Sequence, residues 1–174
     1  MDRPGRRARL AERGPGELTV RIEVAAPVAE VFAAATDWER QSDWVALTRV
    51  RVVRGDGRTP GSVVTAFTGM GGVGFLDTME IVRFESERRV DVLHVGRLVR
   101  GPGSFVFEEL SDGRAVMLWQ EWLHLPFGGL GRLAWPFVRW ASAVGLRRSL
   151  RSFARELERR TDRERNHDDR PGDR

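Results

Sequence analysis

The connections in the middle of the chain are too short to contain a helix, and this limits the fold more than any other feature. Between residues 46 and 126, the segments RGDGRTPG, TGMGGVG, SERR, RGPG and SDG separate about six stretches that have the composition of β-strands. Parallel neighbours need a crossover of a dozen residues or more, whereas antiparallel neighbours need only a turn. We therefore expect an antiparallel meander. GMGGVG is then a hairpin turn rather than a phosphate loop, because no helix follows it.

A further strand and two short helices precede the meander. The segment ELTVRIEVA alternates apolar and polar residues, which predicts a half-buried strand. In APVAEVFAAATD, Pro27 stands where a first helical turn tolerates proline, and apolar residues follow at helical spacing. The segment WERQSDW predicts a second short helix.

The chain after Pro126 is helical in pattern. We expect a kink or restart at Pro136, because proline cannot donate the backbone hydrogen bond of a helix interior. The second half carries the core stripe of an amphipathic helix, formed by Leu146, Leu150, Phe153 and Leu157.

Composition excludes several kinds of site. The chain has no cysteine, and its three histidines are too far apart in sequence for a metal-ligand motif, so we expect no metal. All 29 basic residues are arginine, which excludes a Schiff-base lysine and a P-loop lysine and suggests a GC-rich bacterial genome. We expect no cofactor. The net charge of +4 is too modest to indicate nucleic-acid binding.

The length of 174 residues fits one domain. We place that domain at residues 17–158, between tails at 1–16 and 159–174 that are too polar to repay the entropy of ordering and are predicted to be mobile. No apolar region follows the basic start, and no apolar run approaches the length of a membrane span, so we expect a cytoplasmic protein.

The order of elements resembles the helix-grip fold of the SRPBCC superfamily, which includes START, polyketide cyclase and pollen-allergen proteins. The most specific segment is TVRIEVAAPVAEVFAAATDWERQSDWV at residues 19–45, followed at the other end by GRAVMLWQEWLHLP and the long helix. The resemblance implies an α+β fold, with a curved antiparallel sheet of about seven strands wrapped around a long C-terminal helix. It also implies an internal cavity for lipids, sterols or polyketides. Some members catalyse cyclisation, dehydration or hydrolysis, but no catalytic motif is common to all of them.

The last strand contains a glutamate between two tryptophans. In related strands of the superfamily the positions of Trp119, Leu123 and Leu125 face the cavity, which places Glu121 inside with them. A carboxyl group in an apolar cavity has a raised pKa and is suited to act as a general acid or base. The alternatives are a β-bulge that turns Glu121 outward, or an arginine that only neutralises it.

Two more titratable residues alternate with apolar ones. Asp77 shares its side of a strand with Phe75 and Met79, and His94 follows Val90 and Val92 in the same parity. Together with Glu121, they form a candidate polar cluster that would hydrogen-bond a ligand or move a proton. The alternative is that each is a rim residue with an ordinary hydrogen bond.

Three functions stay open at this stage. The leading one is binding of a small apolar ligand, lipid or polyketide-like. The second is a cyclase or dehydratase with Glu121, His94 and Asp77 as candidate catalytic residues. The third is a protein-interaction module in which Trp122 and His124 form part of a dimer face, so we expect either a monomer or a homodimer. The predicted ligand-binding residues are Trp119, Glu121, Leu123, Phe67, Phe75, Met79, Phe105, Phe107, Trp135 and Phe137.

The arginine-rich C-terminal helix allows one more interpretation. Its apolar side is expected to fill the grip of the sheet, with the arginines solvated. The alternative is a basic amphipathic surface, including Trp135, Phe137 and Trp140, that makes transient contact with anionic membranes.

Overall fold

Seven antiparallel strands form one curved sheet in the structure, a computed structural model that describes residues 4–168. Along the sheet the strands follow the order β1-β7-β6-β5-β4-β3-β2, so the first strand pairs with the last. The strands are β1 (Gly16–Val24), β2 (Thr48–Arg54), β3 (Val63–Met70), β4 (Val73–Glu85), β5 (Arg89–Val95), β6 (Arg100–Glu109) and β7 (Ala115–Leu123). The predicted meander is confirmed.

Four helical segments accompany the sheet. They are α1 (Pro4–Ala11), α2 (Val28–Thr36), a 3₁₀ turn (Glu39–Asp43) and α3 (Gly128–Asp168). The core lies between the concave face of the sheet, α2 and the second half of α3, and it includes Val31, Ile81, Met117 and Leu150. The predicted α+β helix-grip fold is therefore confirmed.

Local sequence explains the turns and bends of the sheet. Gly71 and Gly72 form a two-residue hairpin between β3 and β4, with φ angles of 60° and 82°. Left-handed φ at both central positions is the requirement of the hairpin turn that matches strand twist, and glycine meets it without steric cost. The glycine-rich segment is thus a hairpin, as predicted. Register shifts between Val52 and Arg54 and between Ile81 and Arg83 mark bulges, which bend a strand.

Helix α3 continues through Pro136, so of the predicted kink or restart the restart is absent. Pro136 lies inside one continuous helix rather than at a break. The proline ring is exposed, so water can satisfy the carbonyl group that loses its partner. The second half agrees with the predicted stripe, because Leu150, Phe153 and Leu157 are buried against the sheet.

The N-terminal segment, predicted to be a mobile tail, forms α1 over residues 4–11 and packs on the convex face across β5 and β6. Leu10 is buried there, and Arg7 forms an ion pair with Glu80. The other predicted tail continues α3 as far as Asp168. Residues 1–3 and 169–174 of the predicted tails lie outside the described residues.

Candidate functional site

A cavity of about 350 Å³ lies between the concave face of the sheet, the 3₁₀ turn and the first half of α3. Its volume falls within the range of small-molecule pockets, about 300–1,000 Å³. Seven of the ten predicted ligand-binding residues line it: Phe75, Met79, Phe105, Trp119, Glu121, Leu123 and Trp135. Most of the lining surface is apolar, which suits a hydrophobic ligand.

The remaining three predicted residues lie elsewhere. Phe67 is on the opposite face of β3, because its neighbours Ala66 and Thr68 line the cavity. Phe107 is buried in the core against Phe32, with ring centroids 5.1 Å apart. Phe137 is 78% exposed on α3. Helical geometry explains the last error, since Trp135 and Phe137 are two residues apart and so cannot face the same side of a helix.

Aromatic rings form one wall of the cavity. Phe105 on β6 and Trp119 on β7 are cross-strand partners, and their rings meet edge to face at 4.6 Å. Trp38 packs against Phe105 at 6.0 Å from the other side. Edge-to-face pairs of this kind add stabilisation beyond the area that they bury. Phe105, Trp119 and Trp38 therefore present apolar ring surface to the cavity.

Asp77 and His94 form a buried hydrogen-bonded pair on the same concave face. The Asp77 Oδ2 atom lies 2.7 Å from Nδ1 of His94. Strand pairing explains the contact, because Met79 is the partner of His94 and Asp77 is two residues away on β4. Asp77 and His94 are 8% and 4% exposed, so both are largely shielded from solvent.

Two opposed effects set the protonation of His94. Burial is the largest effect and favours the neutral imidazole. The negative charge of Asp77, its hydrogen bond to the ring and the charge of Glu121 act in the opposite direction and outweigh burial. The pKa of His94 therefore lies above its ordinary value of 6.5. The protonated ring is favoured, so the cavity wall contains a hydrogen-bond and proton donor.

Glu121 is half-buried in the cavity wall. Its Oε1 atom accepts a hydrogen bond of 2.8 Å from the indole Nε1 of Trp119, two residues earlier on the same strand. The predicted inward register of β7 is therefore what the structure has, with no bulge in the pairing of this strand. The indole bond fixes the carboxylate against the aromatic wall. Asp77, His94 and Glu121 thus share one cavity, and their predicted roles in catalysis stay predictions.

One carboxylate oxygen of Asp77 is available for a further hydrogen bond. Its Oδ1 atom is buried and has no hydrogen-bond partner among the described residues. Buried polar atoms are almost always paired, so an unpaired acceptor in a cavity wall is a site for a donor on a ligand.

Gly103 makes room for the histidine ring. A Cβ atom at this position would lie 3.0 Å from His94 Nε2 and 3.1 Å from Val92 Cγ2. Both distances are shorter than ordinary van der Waals contact, so any larger residue would push the ring. Gly103 belongs to the segment RGPG, which is expected from its composition to be a turn, but residues 100–103 lie inside β6. A glycine inside a strand often marks a close approach of this kind.

Polar residues at the other end of the cavity were also missed. The hydroxyls of Thr48 and Thr68 are cross-strand partners 2.9 Å apart, and both line the cavity. Gln41 lines it as well, and its amide is held by a 2.8 Å bond from Nε2 to the carbonyl of Ala35. The alternation of the strands could have revealed them, because Thr48 is two residues from Val50 and Thr68 is two residues from Ala66, so each pair shares one face of its strand.

A second apolar cavity of about 400 Å³ adjoins the first at the start of α3. The two cavities share Phe75, Val99, Leu123, Trp135 and Val138. The two cavities are therefore adjacent, and the lining of the second is almost wholly apolar. A separate depression of about 260 Å³ lies between α2 and α3, but Asp37, Arg40 and Glu156 line it, which is unfavourable for an apolar ligand.

Trp122 and His124, the predicted dimer face, are covered by the protein's own N-terminal segment. Trp122 is buried, with the guanidinium carbon of Arg13 4.1 Å from its ring centroid. His124 Nε2 is 3.0 Å from the carbonyl oxygen of Glu12. The outward direction expected of Trp122 is correct, but the surface is already occupied.

Metal binding finds no support in the part of the chain that the structure describes. There, no three histidine, aspartate or glutamate side chains are grouped as metal ligands. The site is therefore an apolar cavity with one ionisable pair, one fixed carboxylate and a hydroxyl pair. Such an arrangement is chemically suited to a molecule that is largely apolar and carries oxygen functions, and His94 can act as a proton donor.

Comparisons with known proteins agree with this architecture. Solved structures of similar fold include the Zhui aromatase/cyclase from Streptomyces sp. R1128, with a TM-score of 0.69 and 16% identity over 83% of this chain and 94% of that one. The protein TTHA0849 from Thermus thermophilus has a TM-score of 0.65 and 16% identity over 81% of this chain and 96% of that one. A START superfamily protein from Mycobacterium smegmatis has a TM-score of 0.53 and 15% identity, covering 77% and 97%.

At these identities the structural neighbours show the fold alone. No protein with a curated description matches the sequence. The family of polyketide cyclase / dehydrase and lipid transport proteins, however, matches residues 15–158, which include the whole predicted domain. The chain therefore belongs to this family, within the superfamily that its helix-grip fold indicates.

Proposed function

We propose that the protein binds one small, mainly apolar molecule that carries oxygen functions in the cavity beneath α3. The observation that supports this most directly is the combination of an apolar cavity of about 350 Å³ with the Asp77–His94 pair in its wall. The protonated ring of His94 donates to a carbonyl or carboxylate oxygen of the ligand. Asp77 Oδ1 accepts from a hydroxyl.

The aromatic wall recognises the rest of the ligand. Phe105 and Trp119 present ring surfaces that pack against fused rings or an acyl chain. The hydroxyls of Thr48 and Thr68 offer a second polar contact at the far end. A ligand with oxygen atoms at two separated positions therefore fits better than a plain hydrocarbon.

A cavity-filling variant tests the proposal. Ala66 lines the cavity, whereas its neighbour Thr65 points to the other face of β3. The neutral probe N-phenyl-1-naphthylamine should gain fluorescence on binding to the wild-type protein and saturate at one site. Ala66→Phe should abolish this signal, and the matched control Thr65→Phe should keep it. Equal binding by both variants would place the probe outside the cavity and refute the proposal.

Enzymatic acid–base chemistry is a second candidate function, favoured by the raised pKa of His94 beside two carboxylates. In a cyclisation or dehydration, His94 donates its proton to a carbonyl or hydroxyl oxygen of the substrate, and Asp77 holds the imidazolium in place. His94 is a better candidate for the general acid than Glu121, because the Glu121 carboxylate already accepts a hydrogen bond from Trp119.

A substrate surrogate separates binding from turnover. A linear poly-β-ketone thioester should gain aromatic absorbance with the wild-type protein if it is an enzyme. His94→Gln should keep affinity for the probe but lose turnover at least about a hundredfold, the usual contribution of a general acid. Glu121→Gln should also keep affinity, with a smaller loss of turnover, because the charge of Glu121 supports the protonated form of His94. Unchanged turnover in both variants would reject the acid–base mechanism and leave binding as the function.

A further inference from the structure

The first half of α3 exposes a continuous apolar stripe on the side away from the cavity. Trp135, Val138 and Ser142 face the cavity. On the other side, Phe137 is 78% exposed and Trp140 is 71% exposed, values unusual for large aromatic residues. The stripe consists of Leu130, Leu133, Phe137, Trp140 and Val144, spaced at i, i+3, i+7, i+10 and i+14.

The same helical line turns from apolar to basic along α3. Arg148, Arg151 and Arg155 follow Val144 at steps of four, three and four residues, so they continue the stripe. All three are exposed. Among the described side chains, none of them pairs with an acidic group, since the ion pair found on this helix joins Arg160 to Glu156. The helix thus presents an apolar section followed by unpaired positive charge.

The charge of this region favours an anionic partner. Between Trp122 and Arg155 the chain has six arginines and neither aspartate nor glutamate. A second copy that paired through the same stripe would bring arginines together without an acid to neutralise them. An anionic phospholipid surface satisfies both sections at once, because acyl chains accept the apolar side chains and phosphates accept the guanidinium groups.

We propose that the first half of α3 lies in the surface of an anionic lipid bilayer, with the apolar stripe buried and the arginines at the headgroups. None of the described helices is long and apolar enough to span a membrane, which agrees with binding at the surface. The inference goes beyond the proposed function and does not depend on which ligand the cavity holds.

Cosedimentation of the full-length protein with vesicles tests the inference. The protein should sediment with vesicles of equal parts phosphatidylglycerol and phosphatidylcholine, and far less with pure phosphatidylcholine. Binding should weaken as salt rises, because screening reduces the attraction of exposed charges. Replacing Arg148 and Arg151 with glutamine should weaken it about fivefold for each arginine removed.

A second variant tests how much the apolar stripe contributes to vesicle binding. Phe137→Ser with Trp140→Ser should reduce vesicle binding at least about tenfold, since these rings supply much of the buried area. Both residues are exposed, so the thermal midpoint should not fall. Val53→Ser with Val82→Ser removes apolar side chains exposed on other elements and should leave binding unchanged.

Three results would overturn the inference. They are absence of binding to anionic vesicles, equal binding by the Phe137→Ser/Trp140→Ser variant, and a wild-type dimer that this variant loses in sedimentation velocity without lipid. The last result would assign the stripe to a second copy of the chain.

Discussion

At the scale of single residues, the protonation of His94 depends on two neighbouring carboxylates, chiefly that of Asp77. Burial alone would lower the pKa of His94, and Asp77 with Glu121 reverses that effect. These two carboxylates and His94 are the titratable groups that line the cavity; the lining of α3 and of the 3₁₀ turn contributes none. The pKa of His94 therefore depends on how close Asp77 and Glu121 lie to its ring.

Asp77→Asn should move the pKa of His94 from above 6.5 to below it, because the remaining largest effect is desolvation. A pH titration of the histidine ring by NMR measures this, and the chain has only three histidines to assign. A pKa that is the same in both proteins would mean that the Asp77–His94 bond does not exist in solution.

The same pair should make stability depend on pH with a defined sign. The pKa of folded His94 is raised, so its protonation stabilises the protein fully below pH 6.5, and this contribution is lost as pH rises through the folded pKa. Urea unfolding should show a free energy that falls over this window in the wild type and not in His94→Gln. Parallel pH profiles for the two proteins would contradict the raised pKa.

Gly103→Ala should disturb the histidine. The new Cβ would meet Nε2 at 3.0 Å, so we expect a loss of about 1–3 kcal/mol of stability and weaker probe binding. Gly145→Ala is the control, because nothing lies within 4 Å of its Cβ position and the residue is helical. That change should stabilise the protein by about 0.5–1 kcal/mol. Thermal or urea unfolding measures the stability of both variants. An unchanged stability of Gly103→Ala would show that the His94 ring has room to move.

At the scale of elements, α1 covers apolar surface that the sheet would otherwise expose. Leu93 and Trp122 on the convex face are 3% and 8% exposed, and α1 and the segment after it lie over this face. The helix has a single large apolar residue, Leu10, which is too little for local sequence to predict a helix against a polar background. Only the folded sheet supplies the surface that orders it.

Leu10→Ala should cost about 2 kcal/mol, near the lower end for a buried leucine, and should leave probe binding in the cavity unchanged. Arg9→Ala on the exposed side of the same helix is the matched control and should be nearly neutral. Urea unfolding gives the free energies of unfolding of the two variants for this comparison. Equal stability of the two variants would mean that α1 is not docked in solution.

At the scale of the whole molecule, the residues alone predict the antiparallel meander but neither the closure of the sheet nor all of the cavity. Short connections force antiparallel neighbours from β2 to β7. The inward direction of Glu121 follows from the resemblance of β7 to related strands, and the pairing of β1 with β7 is seen only in the structure. Phe67 was assigned inward because it is aromatic, yet the cavity exists where small side chains such as Ala66 face inward. Phe137 is likewise a predicted site residue only because it is aromatic, and helical geometry turns it away from the cavity that Trp135 lines.

The central claim is that a small molecule occupies the cavity beneath α3, and native mass spectrometry tests it most directly. Wild-type protein and Ala66→Phe should be incubated with the same bacterial lipid and metabolite extract and then desalted. The cavity predicts one bound small molecule per wild-type chain and none on the variant, with Thr65→Phe behaving as wild type. A bare wild-type mass, or the same adduct on wild type and Ala66→Phe, would contradict the claim.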